Sequence, residues 1–303
     1  MFQTLSASRS TDLFLVNWSI NGLAAYIAKK ITRKPYILVL RGRDIQLLKA
    51  KFIKFLLSAV FKNASFIISV NKGFIDKIKE DFSISQDKLA VIENGVSIYL
   101  PKEEEVKEFL KQEGLEEGRY IAFVGTVVPR KGVELLLELI GCINYRLLIA
   151  GRIASEGYYS KLLERVKELG VGSRVVFKGA VSPFKVSFYL AVSRYYISFS
   201  NFEGRPNALM EALAAKKVVI ASDIEAHREV IKDGETGFLV SRDLEGVRKA
   251  KEIIERLDSD NREYLKVSEA AFKWARRFSW ERSAKKYIEV FKKVLGSDLA
   301  ESR

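Results

Sequence analysis

The sequence predicts an α/β protein built on parallel sheets in two units. Two observations predict it: ten short apolar, β-branched runs alternate with helical segments, and a dense Lys and Glu stretch divides the runs into four and six. Continuous apolar strands alternating with helices are what a parallel sheet buried on both faces requires. At 303 residues, the chain also exceeds the roughly 250–300 at which a single core stops growing, so two units are expected. With 48% hydrophobic and 29% charged residues, it has the balance of a globular protein with a large core.

In chain order, strands are expected over 12–18, 36–41, 65–70 and 89–93, then 120–125, 146–151, 174–179, 195–200, 218–223 and 237–240. The first four form an N-terminal unit, 1–100, which looks incomplete beside the six of a full doubly wound second unit, 119–276. The connection is expected over 101–118, where apolar periodicity is weak. The last segment, 277–303, carries Trp280, Ala284, Tyr287, Ile288, Phe291 and Leu295 at helical spacing and is expected to pack as an amphipathic helix.

Composition narrows the chemistry. Cys142 is the only cysteine, so no disulfide within the chain and no paired-cysteine metal site can form. His227 is the only histidine, which excludes a His-rich zinc centre. No metal site is expected: Asp258-Ser259-Asp260 falls between two helical stretches, where capping is the expected role, and His227 is expected at the surface or as a cap. Residues 1–9 hold no apolar signal core, and no run of about 18 apolar residues occurs. A cytoplasmic protein is therefore expected, with the inner face of the membrane as an alternative site.

The net charge of +13 is unevenly placed, since residues 29–62 hold ten Lys and Arg against Asp44 alone. Such a stripe implies a phosphate-rich partner. Over 44–62, Phe52, Phe55, Leu56 and other apolar residues interleave with Lys49, Lys51, Lys54 and Lys62. That pattern suits either an anionic membrane surface or a helix covering its own sheet. No nucleic-acid recognition motif accompanies the charge.

Two constellations carry chemistry. Gly125-Thr126-Val127-Val128-Pro129-Arg130-Lys131-Gly132 follows a strand and opens a helix, a place where backbone amides, Arg130 and Lys131 could hold a diphosphate. The alternative is an ordinary loop with solvated cations. In Glu203-Gly204-Arg205-Pro206-Asn207-Ala208-Leu209-Met210-Glu211, Pro206 suits a first helical turn and Gly204 allows close approach of a ligand. Glu203 then stands at the helix mouth and Glu211 about 7.5 Å further along the axis, with the amides of Asn207, Ala208 and Leu209 between them. Their alternative roles are a capping carboxylate and a surface residue.

The stretch from Glu203 through Asp223 to Arg228-Glu229-Val230 resembles the retaining glycosyltransferases of family 4, enzymes of GT-B fold with a Glu-x7-Glu motif that Glu203 and Glu211 match. Lys131-Gly132, Asp233-Gly234-Glu235-Thr236-Gly237, Asn94-Gly95-Val96 and Phe278-Ser279-Trp280 extend the resemblance over nearly the whole chain. It implies two Rossmann-like domains with a cleft between them and a last helix returning to the first. It also implies a nucleoside-diphosphate sugar as donor substrate, no permanently bound cofactor, and a hydroxyl of a glycan or lipid-linked molecule as acceptor.

By the same resemblance, Glu203 lies beside the donor sugar, Glu211 contacts the ribose, and Lys131, with Arg130, serves the diphosphate, near Gly125, Thr126 and Gly204. Departures accompany it. Thr126 stands where the family has an Arg, Arg41 where it has a His, and Glu225-Ala226 where it has Gly-Gly. The strands that ordinarily open the acceptor domain are missing, which implies an alternative: a nucleotide-sugar-binding module, inactive alone or completed by a partner chain.

Overall fold

The computed structural model describes residues 11–42, 44, 47–116 and 119–296. Arg43 and Ile45 of the basic stripe, and the 1–9 segment read for a signal peptide, lie outside the described residues. The chain divides into two compact units, Met1–Gly95 with Phe278–Arg303, and Val96–Arg277.

The first unit holds β1 (Phe14–Asn17), β2 (Tyr36–Leu40), β3 (Phe66–Ser69) and β4 (Leu89–Val91), all parallel and in the order β1-β2-β3-β4. β2 and β3 are buried at every position, whereas β1 alternates in burial, as an edge strand does. The helices are α1 (Gly22–Thr32), α2 (Lys51–Asn63) and α3 (Lys72–Phe82). Gly22 lets α1 approach α2, because a Cβ there would stand 2.4 Å from Val60 Cγ1.

The second unit holds β5 (Tyr120–Val124), β6 (Arg146–Ala150), β7 (Val175–Gly179), β8 (Ser193–Ser198), β9 (Val218–Ser222) and β10 (Phe238–Val240). Their order is β10-β9-β8-β5-β6-β7, parallel throughout. A core on one face of the sheet joins Phe123, Ile149, Ile197 and Ile220 to Leu137 and Leu257 of the covering helices, and each such fully buried side chain contributes about 1.5–3 kcal/mol. Chain order reverses where β8 and β6 flank β5, which opens a crevice at the carboxyl ends of β5 and β8.

Two expectations need correction. Within 101–118, the Lys and Glu stretch carries a helix, α4 (Glu103–Gln112), which belongs to the second unit. Its Phe109 stacks on Phe188 of α7 (Pro183–Val192) and meets Tyr189 edge-on, with ring centroids 4.8 and 5.1 Å apart; with Phe109 its one buried residue, the helix has a periodicity too sparse to read. Asp258 is no cap. It sits near the end of α10 (Leu244–Ser259), accepting hydrogen bonds from Tyr145 and Tyr195 at 2.8 and 2.9 Å and pairing with Arg194 at 3.1 Å. Asp260 does cap the next helix, α11 (Asn261–Ala275).

The final helix, α12 (Trp280–Leu295), lies with the first unit. Ser279 caps it, Val290 packs among Ile37, Val39, Phe66 and Ile68, and Lys286 pairs with Glu93 at 2.9 Å. Among the described residues no helix is long and apolar enough to cross a membrane.

Candidate active site

The crevice beside β5 and β8 is lined by two loops that the backbone laces together. The first runs from Gly125 to Gly132 through a 3₁₀ turn, Pro129–Lys131, into α5 (Val133–Cys142); the second runs from Phe199 to Pro206 into α8 (Asn207–Ala214). Asn201 N–H donates to Arg130 O at 2.9 Å, and Arg130 Nη1 returns a bond to Phe202 O at 3.0 Å. Arg242 braces both, donating to Phe199 O at 2.8 Å and to Pro129 O at 3.2 Å.

The close approach depends on Gly132. Its φ of +64° is left-handed, and an added Cβ would stand 2.3 Å from Phe199 O. Gly132→Ala is expected to destabilise the protein by more than the about 1–2 kcal/mol of the left-handed backbone alone. Urea unfolding would measure it, and an unchanged midpoint would contradict this packing.

The two loops bring Lys131 and Glu203 into a nearly buried ion pair, with Arg130 Nη1 3.5 Å from the other carboxylate oxygen. Burial by itself pushes the Glu203 carboxyl up. The Lys131 ammonium, a Ser200 hydrogen bond and Arg130 outweigh that and hold it below the ordinary carboxylate range. Glu203 therefore stays ionised at neutral pH and is not a cap; the residue before α8 is Pro206, which makes no side-chain cap bond. Glu211, on α8 and half-buried, has only desolvation acting on it, which pushes its pKa up to about 7. One carboxylate is thus compensated and the other is not.

Tyr196 lies beneath this site. Its hydroxyl donates to Val124 O at 3.4 Å, and burial, then the charges of Glu203 and Glu211, push its phenol far up. The phenol stays neutral.

The expected supply of backbone amides is smaller than the sequence implied. In the first loop the N–H groups of Gly125, Val127, Lys131 and Gly132 donate to Ala150, Arg152, Val128 and Pro129 carbonyls, and that of Val133 to the Tyr158 hydroxyl. The 3₁₀ turn takes up those of Lys131 and Gly132, and the end of β6 those of Gly125 and Val127. At α8 the Asn207 N–H bonds Arg205 O, while Ala208 and Leu209 occupy the first turn ahead of the Met210 bond to Pro206 O. Positive charge for an anion accordingly comes from side chains, Lys131 and Arg130, more than from the loop backbone. Thr126 is half-buried in the same loop, and Gly204 lies between Glu203 and α8.

His227 also departs from expectation: it is 1% exposed, on the short helix α9 (Glu225–Arg228). Nδ1 lies 2.7 Å from Ser222 O, which fixes the proton on that nitrogen, and burial lowers its pKa. Ser222 Oγ in turn donates to Ser200 O, and Ser198 and Ser200 Oγ lie 3.1 Å apart. This network, which sequence reasoning missed, ties β9 to the loop bearing Glu203. A signal for it existed in the small polar residues Ser198, Ser200 and Ser222, interrupting apolar runs at the strand ends where ligands bind in open α/β sheets.

In the first unit, Arg41 Nε and Nη1 donate to Asn17 Oδ1 and Asn94 Oδ1 at 3.1 and 3.0 Å, fixing the guanidinium at the strand ends. Asp44 is buried and accepts from Ser19 N–H at 2.5 Å and Arg41 N–H at 2.8 Å.

A family model described as glycosyl transferases group 1 matches residues 105–274. An uncharacterized glycosyltransferase of Methanocaldococcus jannaschii is 26% identical over 290 residues, 95% of this chain and 77% of the relative. An N-acetylgalactosamine-N,N'-diacetylbacillosaminyl-diphospho-undecaprenol 4-alpha-N-acetylgalactosaminyltransferase of Campylobacter jejuni is 30% identical over 199 residues, where the match spans 63% of this chain and 51% of that protein. Among solved structures, Anabaena HepE in complex with UDP and glucose superposes with a TM-score of 0.87 at 18% identity, covering 96% of this chain and 81% of HepE. The two parallel α/β units match GT-B glycosyltransferase structures in fold.

Proposed function

Because the chain belongs to the glycosyl transferases group 1 family, we propose that it is a retaining glycosyltransferase that moves a hexosyl group from a nucleoside-diphosphate sugar to a hydroxyl of a glycan or lipid-linked acceptor. The observation that carries this reading is the pairing of compensated Glu203 with Lys131, beside uncompensated Glu211, at the carboxyl ends of β5 and β8. A nucleoside diphosphate suits that arrangement. Its phosphates are drawn to Lys131 and Arg130, its ribose hydroxyls reach Glu211, and its sugar lies against Glu203.

In the proposed reaction the bond from the anomeric carbon to the diphosphate oxygen breaks, and the acceptor oxygen bonds to the same sugar face. The hydroxyl proton leaves with the diphosphate or to solvent. Lys131 and Arg130 are already in place where negative charge develops on the leaving group, so little reorganisation accompanies its departure. HepE supports a uridine donor, and the undecaprenol-linked substrate in the Campylobacter enzyme's name supports a lipid-linked acceptor.

The test is sugar release or transfer with a panel of nucleotide sugars. Glu203→Gln, at saturating donor, is expected to lower turnover about tenfold, or about 1.4 kcal/mol, with donor affinity and unfolding midpoint nearly unchanged. Equal turnover in variant and parent would remove Glu203 from contact with the reacting sugar. A parent that binds UDP-glucose but turns over no donor would instead favour the binding-module reading.

A further inference from the structure

We propose that the outward face of α1 and α2 docks on an anionic lipid bilayer. Both helices cover the same face of the first sheet, since a Cβ on Gly22 would meet Val60 of α2 at 2.4 Å and Leu38 of β2 at 3.4 Å. Their outer surfaces therefore face the same solvent. Leu57, Val60 and Phe61 turn inward, leaving Phe52, Phe55 and Leu56, at i, i+3 and i+4, exposed by 73%, 77% and 42%. From α1, Ile27 and Ile31 are also exposed. A helical face that bears two nearly bare phenylalanines has an apolar stripe on both sides, one for the sheet and one without a protein partner among the described residues.

Charge identifies the occupant. Lys30, Lys49, Lys51 and Lys62 are exposed around the stripe, whereas Lys54 is held by Asp81 at 2.6 Å and Lys29 by Asn63 O at 2.7 Å. From residue 19 to residue 63 the only carboxylate is Asp44, buried and bonded to the Ser19 and Arg41 amides. Of these lysines Asp81, from the next helix, answers Lys54 alone, and α1 and α2 themselves present no carboxylate to balance the others. A second copy of the chain would set cations against cations. Anionic headgroups neutralise the lysines, while the phenylalanines and leucine enter the headgroup and acyl boundary, as basic amphipathic helices do. Duplex DNA would satisfy the lysines and leave the aromatic stripe in water.

This inference goes beyond the sugar-transfer reading, and its test is run without nucleotide sugar, so either can fail alone. The full chain is sedimented with phosphatidylcholine vesicles, with and without phosphatidylglycerol, at low and high salt, beside a duplex DNA competitor. Binding is expected only to the phosphatidylglycerol vesicles and is expected to weaken with salt. Phe52→Ser with Phe55→Ser, and separately Lys49→Glu with Lys51→Glu and Lys62→Glu, should each lower vesicle binding at least about tenfold, since each interfacial cation is worth about fivefold in partition. These side chains are exposed, so circular dichroism should be unchanged. Absence of vesicle binding at low salt, or binding that DNA abolishes and the phenylalanine changes leave intact, overturns the proposal.

Discussion

Lys131→Ala is expected to lower sugar transfer by about 10²–10³-fold, or about 2.7–4 kcal/mol of barrier, the scale on which losing one preorganised charge-stabilising donor acts. Lys131 is paired with Glu203 and nearly buried. An arriving diphosphate thus competes with a carboxylate already in place, and the exchange becomes more favourable as charge accumulates on the leaving group. Because the gain is largest in the transition state, kcat should fall more than donor affinity.

The variant has a second consequence that must be separated from the first. Removing Lys131 leaves Glu203 desolvated with only Ser200 and the more distant Arg130 beside it, so its pKa should rise and the fold should weaken. Lys131→Ala combined with Glu203→Gln removes that buried charge. If the double variant regains stability but not turnover, the ammonium acts on the leaving group. If turnover returns with stability, Lys131 serves only as a counterion and its proposed catalytic role is wrong.

How much of this was legible in the sequence depends on which physical signal carried it. The ten apolar runs coincide with the ten parallel strands of the described residues because strands buried on both faces, such as Tyr36–Leu40 and Tyr120–Val124, must be apolar at every position. Phe109 is the one buried residue of α4, and a single buried position gives no periodicity. His227 was misplaced because its neighbours Glu225 and Arg228 are solvent-facing polar residues, and a four-residue helix shows no buried face in one dimension. The spacing of Glu203 and Glu211 was visible, but their opposite electrostatic states were not. Glu211 feels burial alone, whereas Glu203 is compensated chiefly by Lys131, which lies 72 positions before it and meets it only across the β5 and β8 loops. The occupied amides of the first loop were hidden for the same reason, since their acceptors include Ala150 and Arg152 on a neighbouring strand end.

Glu211→Ala is expected to weaken UDP-glucose binding by about 1.5–3 kcal/mol, roughly 10- to 150-fold, the worth of charge-assisted hydrogen bonds from ribose hydroxyls. The same residue gives the donor site a pH dependence whose sign can be fixed. With a pKa of about 7 in the free protein, Glu211 is only part ionised at neutral pH, and a ribose diol that donates two hydrogen bonds selects the carboxylate. Binding therefore releases a proton, and affinity should rise with pH through about 7 and level off above it. Without ligand the sign is opposite. A carboxyl whose folded pKa is raised contributes stability that is present below its unfolded value near 4.5 and lost as pH rises through about 7, an effect of at most about 3 kcal/mol. Glu211→Gln should consequently abolish the pH slope of binding and make the free protein more stable than the parent at pH about 8. Calorimetric titrations in buffers of different ionisation enthalpy count the released proton directly. Proton release from the Gln variant equal to that of the parent would assign the titrating group elsewhere and take Glu211 out of the ribose contact.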